Sequence, residues 1–295
     1  MLSSDLIKKI RQIEIYTRHL VNDTFAGEYH AVFKGRGMEF DEVRPYQYGD
    51  EIRSIDWNVT ARMGEPYIKR YIEERELTVM LVVDRSGSGE FGTINRFKRE
   101  VAVELAAVLS ISATTNNDKV GLLIFTDKTE LFIPPRKGRR HVLRIIRELL
   151  AFEPTESGTN IKCALDELNH MLKRRSIIFL ISDFFADPQH YYKTLFVTNR
   201  RHDVVAVDLH DPLEIQFANV GLIALEDAET GNLAWIDTTS RAWQQAFMQQ
   251  RRQRNADKIK NFRRIGLDTI NVSTDKDYVV ELTKFFRMRS KRLRK

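Results

Sequence analysis

From residue 76 onward, short apolar runs alternate with stretches of helical period. ELTVMLVVD (76–84), KVGLLIF (119–125), SIIFLISDF (176–184) and DVVAVDL (203–209) are compact, rich in β-branched residues and apolar at nearly every position. Runs of that kind predict strands buried on both faces. TELFIP (129–134) adds a strand after a short turn at Thr126–Lys128, and DTINVS (268–273) a last one. Between them, residues 95–115 place Phe97, Val101, Leu105, Val108 and Leu109 on one helical face. Residues 138–151, 160–174, 188–200, 240–264 and 277–288 also read as helices. GLIALED (221–227) and LAWIDT (233–238) flank Glu229–Asn232, where Gly231 suits a hairpin turn. Strands alternating with helices predict an α/β domain with a doubly wound, mostly parallel sheet. The hairpin is an insertion near 213–239.

The first 75 residues differ. Leu6, Ile10, Ile13, Leu20 and Val21 give residues 4–24 a helical period, with Ser3 or Ser4 as a possible cap. Residues 26–75 have no long periodic run and mix Tyr46, Tyr48, Trp57, Tyr67 and Tyr71 with Arg and Asp. Two units follow: 1–75, a helix plus a small irregular subdomain, and 76–295, the sheet domain. Aromatic and arginine side chains occur both at contact surfaces and as the cement of small subdomains. The second use is the expectation for Trp57 and Arg53.

Charge and composition narrow the setting. The chain holds 47 basic and 41 acidic residues, yet six of the basic ones stand in the last nine residues, RMRSKRLRK. Without them the signs balance, so the body shows no basic excess for nucleic acid and the positive charge is expected on a solvated tail. No apolar run reaches the ~20 residues of a membrane span, and the start lacks a signal-peptide core. Cys163 is the only cysteine, which suits a reducing cytoplasm.

The candidate chemistry lies at the end of the first sheet strand, in VVDRSGSGEFG (82–92). Gly87, Gly89 and Gly92 spell G-x-G-x-x-G, but the position about 20 residues on, where a nucleotide fold has its ribose-binding acid, falls in LSISATT (109–115). Asp84 would also repel phosphate. The overlapping D-x-S-x-S, from Asp84, Ser86 and Ser88, offers hard oxygen ligands instead. Asp183 leaves a later buried strand and Thr159 lies in the loop ESGTNI, so three loops present two carboxylates and three hydroxyls. Ser86 and Ser88 could alternatively cap the following turn.

DRSGS, SGTN and SDF resemble the three pieces of the metal-ion-dependent adhesion site of von Willebrand factor A domains, whose fold is Rossmann-like. The resemblance implies Mg²⁺ or Mn²⁺ held by Asp84, Ser86, Ser88, Thr159 and Asp183, with a partner's Asp or Glu completing the coordination. Residues 35–74, GRGMEFDEVRPYQYGDEIRSIDWNVTARMGEPYIKRYIEE, resemble the signature of the bacterial DUF58 family through Gly37, Glu39, Phe40, Arg44, Tyr46, Gly49, Asp50, Arg53, Ile55, Asp56, Trp57, Ala61 and Arg62. DUF58 proteins are commonly associated with MoxR-type AAA+ ATPases. The resemblance implies an adaptor or chaperone-like role beside such an ATPase.

Enzyme signatures are sparse. There is no P-loop, G-x-S-x-G fails because Ser86 stands two before Ser88, and Ser86 replaces the second acid of a D-x-D phosphotransferase. The seven histidines form no i,i+4 pair, and Cys163 has no histidine nearby in sequence. A binding module without catalysis is therefore expected. The alternative is a Mg²⁺-dependent hydrolase using Asp84 and Asp183, for which the sequence shows no evident general base.

Overall fold

A computed structural model describes residues 12–17, 21, 29, 32, 37–74, 76–92, 96–215, 217–226 and 232–293. They fall into two compact units, residues 33–77 and the rest of the chain. The N-terminal segment thus groups with the sheet domain and not with 35–75 as expected. Two contacts within the larger unit account for this: Arg139 pairs with Glu14 at 2.7 Å, and the buried Tyr29 hydroxyl donates to Asp118 at 3.2 Å. Residues 12–17 are helical, while the proposed Ser3 or Ser4 cap lies outside the described residues.

In the smaller unit, β1 (Gly37–Pro45) and β2 (Tyr67–Glu74) pair antiparallel around the short helix α1 (Trp57–Met63). Asp56 caps α1 by accepting from the Asn58 and Val59 amides. Arg44 clamps Asp50 through two bonds of 2.9 and 2.7 Å. The expected cement, Trp57 with Arg53, is not what is found. Trp57 is 68% exposed, and among the described residues no cation–π pair involves it. Arg44 and Asp50 hold the turn instead.

The larger unit is a six-stranded sheet in the order β10-β7-β6-β3-β4-β5. Its strands are β3 (Thr78–Asp84), β4 (Lys119–Phe125), β5 (Thr129–Arg136), β6 (Ile177–Ser182), β7 (Asp203–His210) and β10 (Asp268–Ser273). Every pairing is parallel except β4 with β5, which is a hairpin edge. Residues 79–83 and 177–182 are all buried, as their unbroken apolar runs predict. Gly121 is required in β4, because a Cβ there would stand 2.5 Å from Met80 Sδ and 2.9 Å from the Ile133 carbonyl.

Among the described residues this unit also holds, besides helical residues 12–17, α2 (Lys98–Thr115), α3 (Arg139–Ala151), α4 (Ile161–Met171), α5 (Pro188–Arg201), α6 (Arg241–Arg264) and α7 (Tyr278–Leu293). The hairpin insertion is present as β8 (Leu222–Glu226) and β9 (Leu233–Asp237), while Gly231 of its turn lies outside the described residues. The basic C-terminus is not a free tail. Residues 287–293 continue α7, and Arg289, with a side chain only 10% exposed, pairs with Asp203 and Asp268. Arg292 adds a bidentate bond to Asp268 at 2.8 and 2.7 Å. These arginines continue a helix whose other face is apolar, so carboxylates at the starts of β7 and β10 fix them.

Among the described residues no helix is long and apolar enough to cross a membrane.

Candidate metal centre

The chain runs from β3 outward to β4 and β5, then returns to β6 on the other side of β3. The carboxyl ends of β3 and β6 therefore flank a topological switch point, where open α/β sheets form their sites. Asp84 is the last residue of β3 and Asp183 follows the last residue of β6.

After Asp84 the chain turns through a 3₁₀ segment, Gly87–Glu90, and α2 begins only at Lys98. The glycines do not open that helix, so the nucleotide reading of G-x-G-x-x-G lacks its anion-binding terminus. At Gly92 a Cβ would collide with the Arg96 carbonyl, which explains one glycine by close approach alone. The loop is folded around Asp84. The Ser86 amide donates to Asp84 Oδ1 at 3.0 Å, the Ser182 hydroxyl donates to Oδ2 at 2.7 Å, and the Ser86 and Ser88 hydroxyls lie 3.1 Å apart. Each of these partners is neutral.

The loop bearing Thr159 is tied alongside. The Gly87 amide donates to the Ser157 carbonyl at 2.8 Å, and Arg85 reaches the Phe152 carbonyl at 3.0 Å. A Cβ at Gly158 would strike the Asp127 carboxylate, so the two loops pack closely there. Asp84, Ser88 and Asp183 line a cavity of about 20 Å³, on the scale of one water-sized occupant. Ser86 stands beside it through Ser88. Thr159 is half-buried on the neighbouring loop and does not line the cavity.

Lys98, in the first turn of α2, enters the same cavity and has no counterpart in the sequence reasoning. Its ammonium donates to Asp183 Oδ2 at 2.7 Å and to Glu214 Oε1 at 2.6 Å, with both the lysine and Asp183 side chains only 3% exposed. Asp183 Oδ1 also accepts from the Phe185 amide at 3.1 Å. Glu214 accepts the Asp211 amide at 3.0 Å, closing a capping box in DPLE. That box was readable as a short cap; its link to Lys98 was not. A second pair follows, Lys258 with Asp208 at 2.6 Å.

These surroundings set the charge states. Burial pushes the Asp84 carboxyl up to about 6, the nearby Asp183 charge adds to the rise, and the Ser182 and Ser86 bonds oppose it. Burial disfavours the Lys98 ammonium, yet the Asp183 and Glu214 carboxylates outweigh it and its pKa is raised. Burial raises Glu214 against the pull of Lys98.

A divalent cation fits this donor set. Asp84, Ser86, Ser88 and Asp183 present oxygens only, as Mg²⁺ and Mn²⁺ require. Asp84, Asp183, Lys98 and Arg99 line the cavity, and Lys98 is shared between Asp183 and Glu214, so among the described residues Asp84 has no ion-pair partner. Among the described residues no group of three or more His, Cys, Asp or Glu could hold a metal, so hydroxyls have to complete any such site.

Comparison with known proteins agrees with this architecture. An uncharacterized Mycobacterium bovis protein is 30% identical over 282 residues, 95% of this chain and 88% of that protein. The uncharacterized protein YeaD of Bacillus subtilis is 28% identical over 107 residues, 36% of this chain and 25% of YeaD. In structure, an aerotolerance-related membrane protein from Bacteroides fragilis, carrying multiple mutations to serines, aligns over 73% of this chain and 99% of its own with a TM-score of 0.50 and 16% identity. A looser likeness joins the chain to the SpRpn10 VWA domain, at 11% identity over 70% of this chain and 93% of that one, with a TM-score of 0.37. The model of the DUF58 family, described as protein of unknown function DUF58, matches residues 42–257, and the chain belongs to that family.

Proposed function

We propose that this protein is a Mg²⁺-dependent protein-binding module of the von Willebrand A type, acting in the cytoplasm as an adaptor or chaperone-like partner of a MoxR-type AAA+ ATPase. The observation that carries the reading is the state of Asp84. It is half-buried beside Asp183, is bonded among the described residues by neutral donors, and is held partly protonated near pH 6. A divalent ion, Mg²⁺ or Mn²⁺, would be held by Asp84, Ser86, Ser88 and Asp183, with Thr159 on the adjoining loop within the same adhesion-type set. When bound, the ion supplies Lewis acidity toward an outside carboxylate, because hydroxyl ligands leave its charge little reduced.

Lys98 shapes this role. By holding one Asp183 oxygen it fixes that carboxylate toward the pocket and lowers the residual negative charge. The hydrolase alternative would need a base near Asp84, and the adjacent titratable cation, Lys98, is already bound by two carboxylates. The same network therefore favours binding over catalysis.

The reading is tested by pull-down of a MoxR-type ATPase in Mg²⁺ and in EDTA, with wild type and Thr159→Ala. Recovery is expected in Mg²⁺ only and reduced by Thr159→Ala. Loss of a partner in a buried charged contact typically costs ~2–5 kcal/mol. Equal recovery in all conditions contradicts the reading and shifts attention to the exposed Tyr48, Ile52 and Trp57 of the smaller unit.

A further inference from the structure

A second cavity, of about 720 Å³, lies along α6, the carboxyl ends of β7 and β10, and the loop after β6. That volume is in the range of small-molecule sites. Its walls are chemically divided. The carboxylates facing it are already engaged. Asp208 binds Lys258 at 2.6 Å, Glu214 binds Lys98 at 2.6 Å, Asp257 accepts from Gln253 at 3.1 Å, Glu281 pairs with Lys284 at 2.7 Å, and Asp187 accepts the Gln189 amide at 2.9 Å. Arg251, Arg254 and Lys276 also line it, and among the described residues none of the three has a carboxylate partner. Asp187 and Asp257 are bonded by neutral donors and keep their charge, so the three cations exceed the unpaired carboxylates by one.

Arg251 is also preset. Its guanidinium lies 4.8 Å from the Phe185 ring centroid and 5.2 Å from that of Phe247, so two aromatic faces hold it. Burial lowers its pKa, as expected of a cation withdrawn from water without a counter-ion. Arg254 follows three residues later on the same helical face. Two guanidinia one turn apart make a fork suited to a planar or tetrahedral oxyanion. Phe184, Phe185 and Ile259 add apolar wall beside the fork.

We propose that this cavity binds a small organic anion, its carboxylate or phosphate group held between Arg251 and Arg254 and its carbon skeleton packed against Phe185 and Ile259. The site needs no metal and does not depend on the adaptor role. It adjoins the metal-centre network at Glu214, which binds Lys98, and at Phe185, whose ring lies 5.3 Å from the Lys98 ammonium.

The test is calorimetric titration of the full chain in EDTA with benzoate, phenyl phosphate and inorganic phosphate. Saturable binding of benzoate or phenyl phosphate is expected, and whichever binds more tightly names the anionic group. Inorganic phosphate should bind more weakly than phenyl phosphate, because it lacks the apolar part. Arg251→Gln and, separately, Arg254→Gln should each weaken binding about tenfold or more, the usual effect of losing a charge-assisted bond. Arg252→Gln, on the exposed face of α6, should leave it unchanged. Arg254 is exposed, so its substitution keeps the test valid should Arg251→Gln unfold. No saturable binding of either organic probe, or equal binding by wild type and folded Arg254→Gln, overturns the proposal. So does tighter binding of a hexaglutamate peptide through the same arginines, which would make the cavity a peptide site.

Discussion

Half-buried Asp84 and buried Asp208 stand toward the carboxyl ends of β3 and β7, the parallel strands on either side of β6, and the chain treats them differently. Asp208 has its own cation, Lys258 at 2.6 Å, which counteracts much of the effect of burial. Asp84 has an amide and a hydroxyl, and among the described residues no ion pair reaches it. Between them Asp183 shares Lys98 with Glu214. A carboxylate withdrawn from water without a counter-charge is costly in proportion to its burial. Each carboxylate on the β7 side thus has a cation in contact, while Asp84 on the β3 side is bonded by neutral donors. That asymmetry singles out Asp84 as the place for a cation from solution and makes the β7 side an internal brace.

The largest effect should come from breaking the brace. Lys98→Met leaves Asp183 and Glu214 buried without their shared cation. Removal of one partner from a buried ion pair typically costs ~3–5 kcal/mol. Denaturant unfolding in EDTA should show a loss of that order, and added Mg²⁺ should restore part of it by binding the exposed charge. A loss under ~1 kcal/mol would mean that Lys98 is not part of the brace.

A smaller loss, about 2 kcal/mol, is expected for Arg289→Gln. Its guanidinium is nearly buried and answers Asp203 and Asp268 at the opposite end of the sheet. Thermal melting of this variant separates a folded last helix from a free basic arm, for which no change would be seen.

A further effect has the opposite sign, and its variant gives the smallest change. The Asp84 carboxyl titrates at about 6 in the folded chain against an ordinary 3.8, so the folded state holds its proton to higher pH than the unfolded state does. Stability in EDTA should then fall as pH rises from about 4 to about 6, by up to ~3 kcal/mol. Asp84→Asn removes that penalty but weakens the bonds from Ser182 and the Ser86 amide. It should leave the metal-free protein about 1–2 kcal/mol more stable at pH 7.5, with a flatter pH profile. Urea unfolding across that pH range reads both. Destabilisation at pH 7.5 would show that the Asp84 carboxylate is already compensated without metal.

Much of this arrangement was legible in the sequence. Buried parallel strands announce themselves as apolar runs, so β3, β4, β6 and β7 and the helices between them fall within a few residues of their expected limits. The placement of Asp84, Ser86, Ser88 and Asp183 followed, because each leaves the end of such a strand. Lys98 and Glu214 did not. They stand 85 and 116 residues, respectively, from and beyond the groups they meet: Lys98 from Asp183, and Glu214 from Lys98. A single lysine in KREVAVEL carries no periodic or motif signal. The C-terminal arginines misled for a related reason. Charge composition marks residues 287–295 as solvated, while the carboxylates that order Arg289 and Arg292 lie on β7 and β10, far away in sequence. Periodicity reports local burial, and partners across the fold leave no trace in it.

The central claim is that Asp84 awaits a divalent cation. Thermal unfolding of wild type and Asp84→Asn should be followed in EDTA and over a Mg²⁺ titration at pH 7.5. A wild-type melting temperature that climbs with Mg²⁺, reaching a stabilisation of ~2.7 kcal/mol at a hundred times the dissociation constant, beside a flat response in Asp84→Asn, is the predicted result. Identical curves for the two proteins, or a wild type indifferent to Mg²⁺ and Mn²⁺ alike, would contradict it.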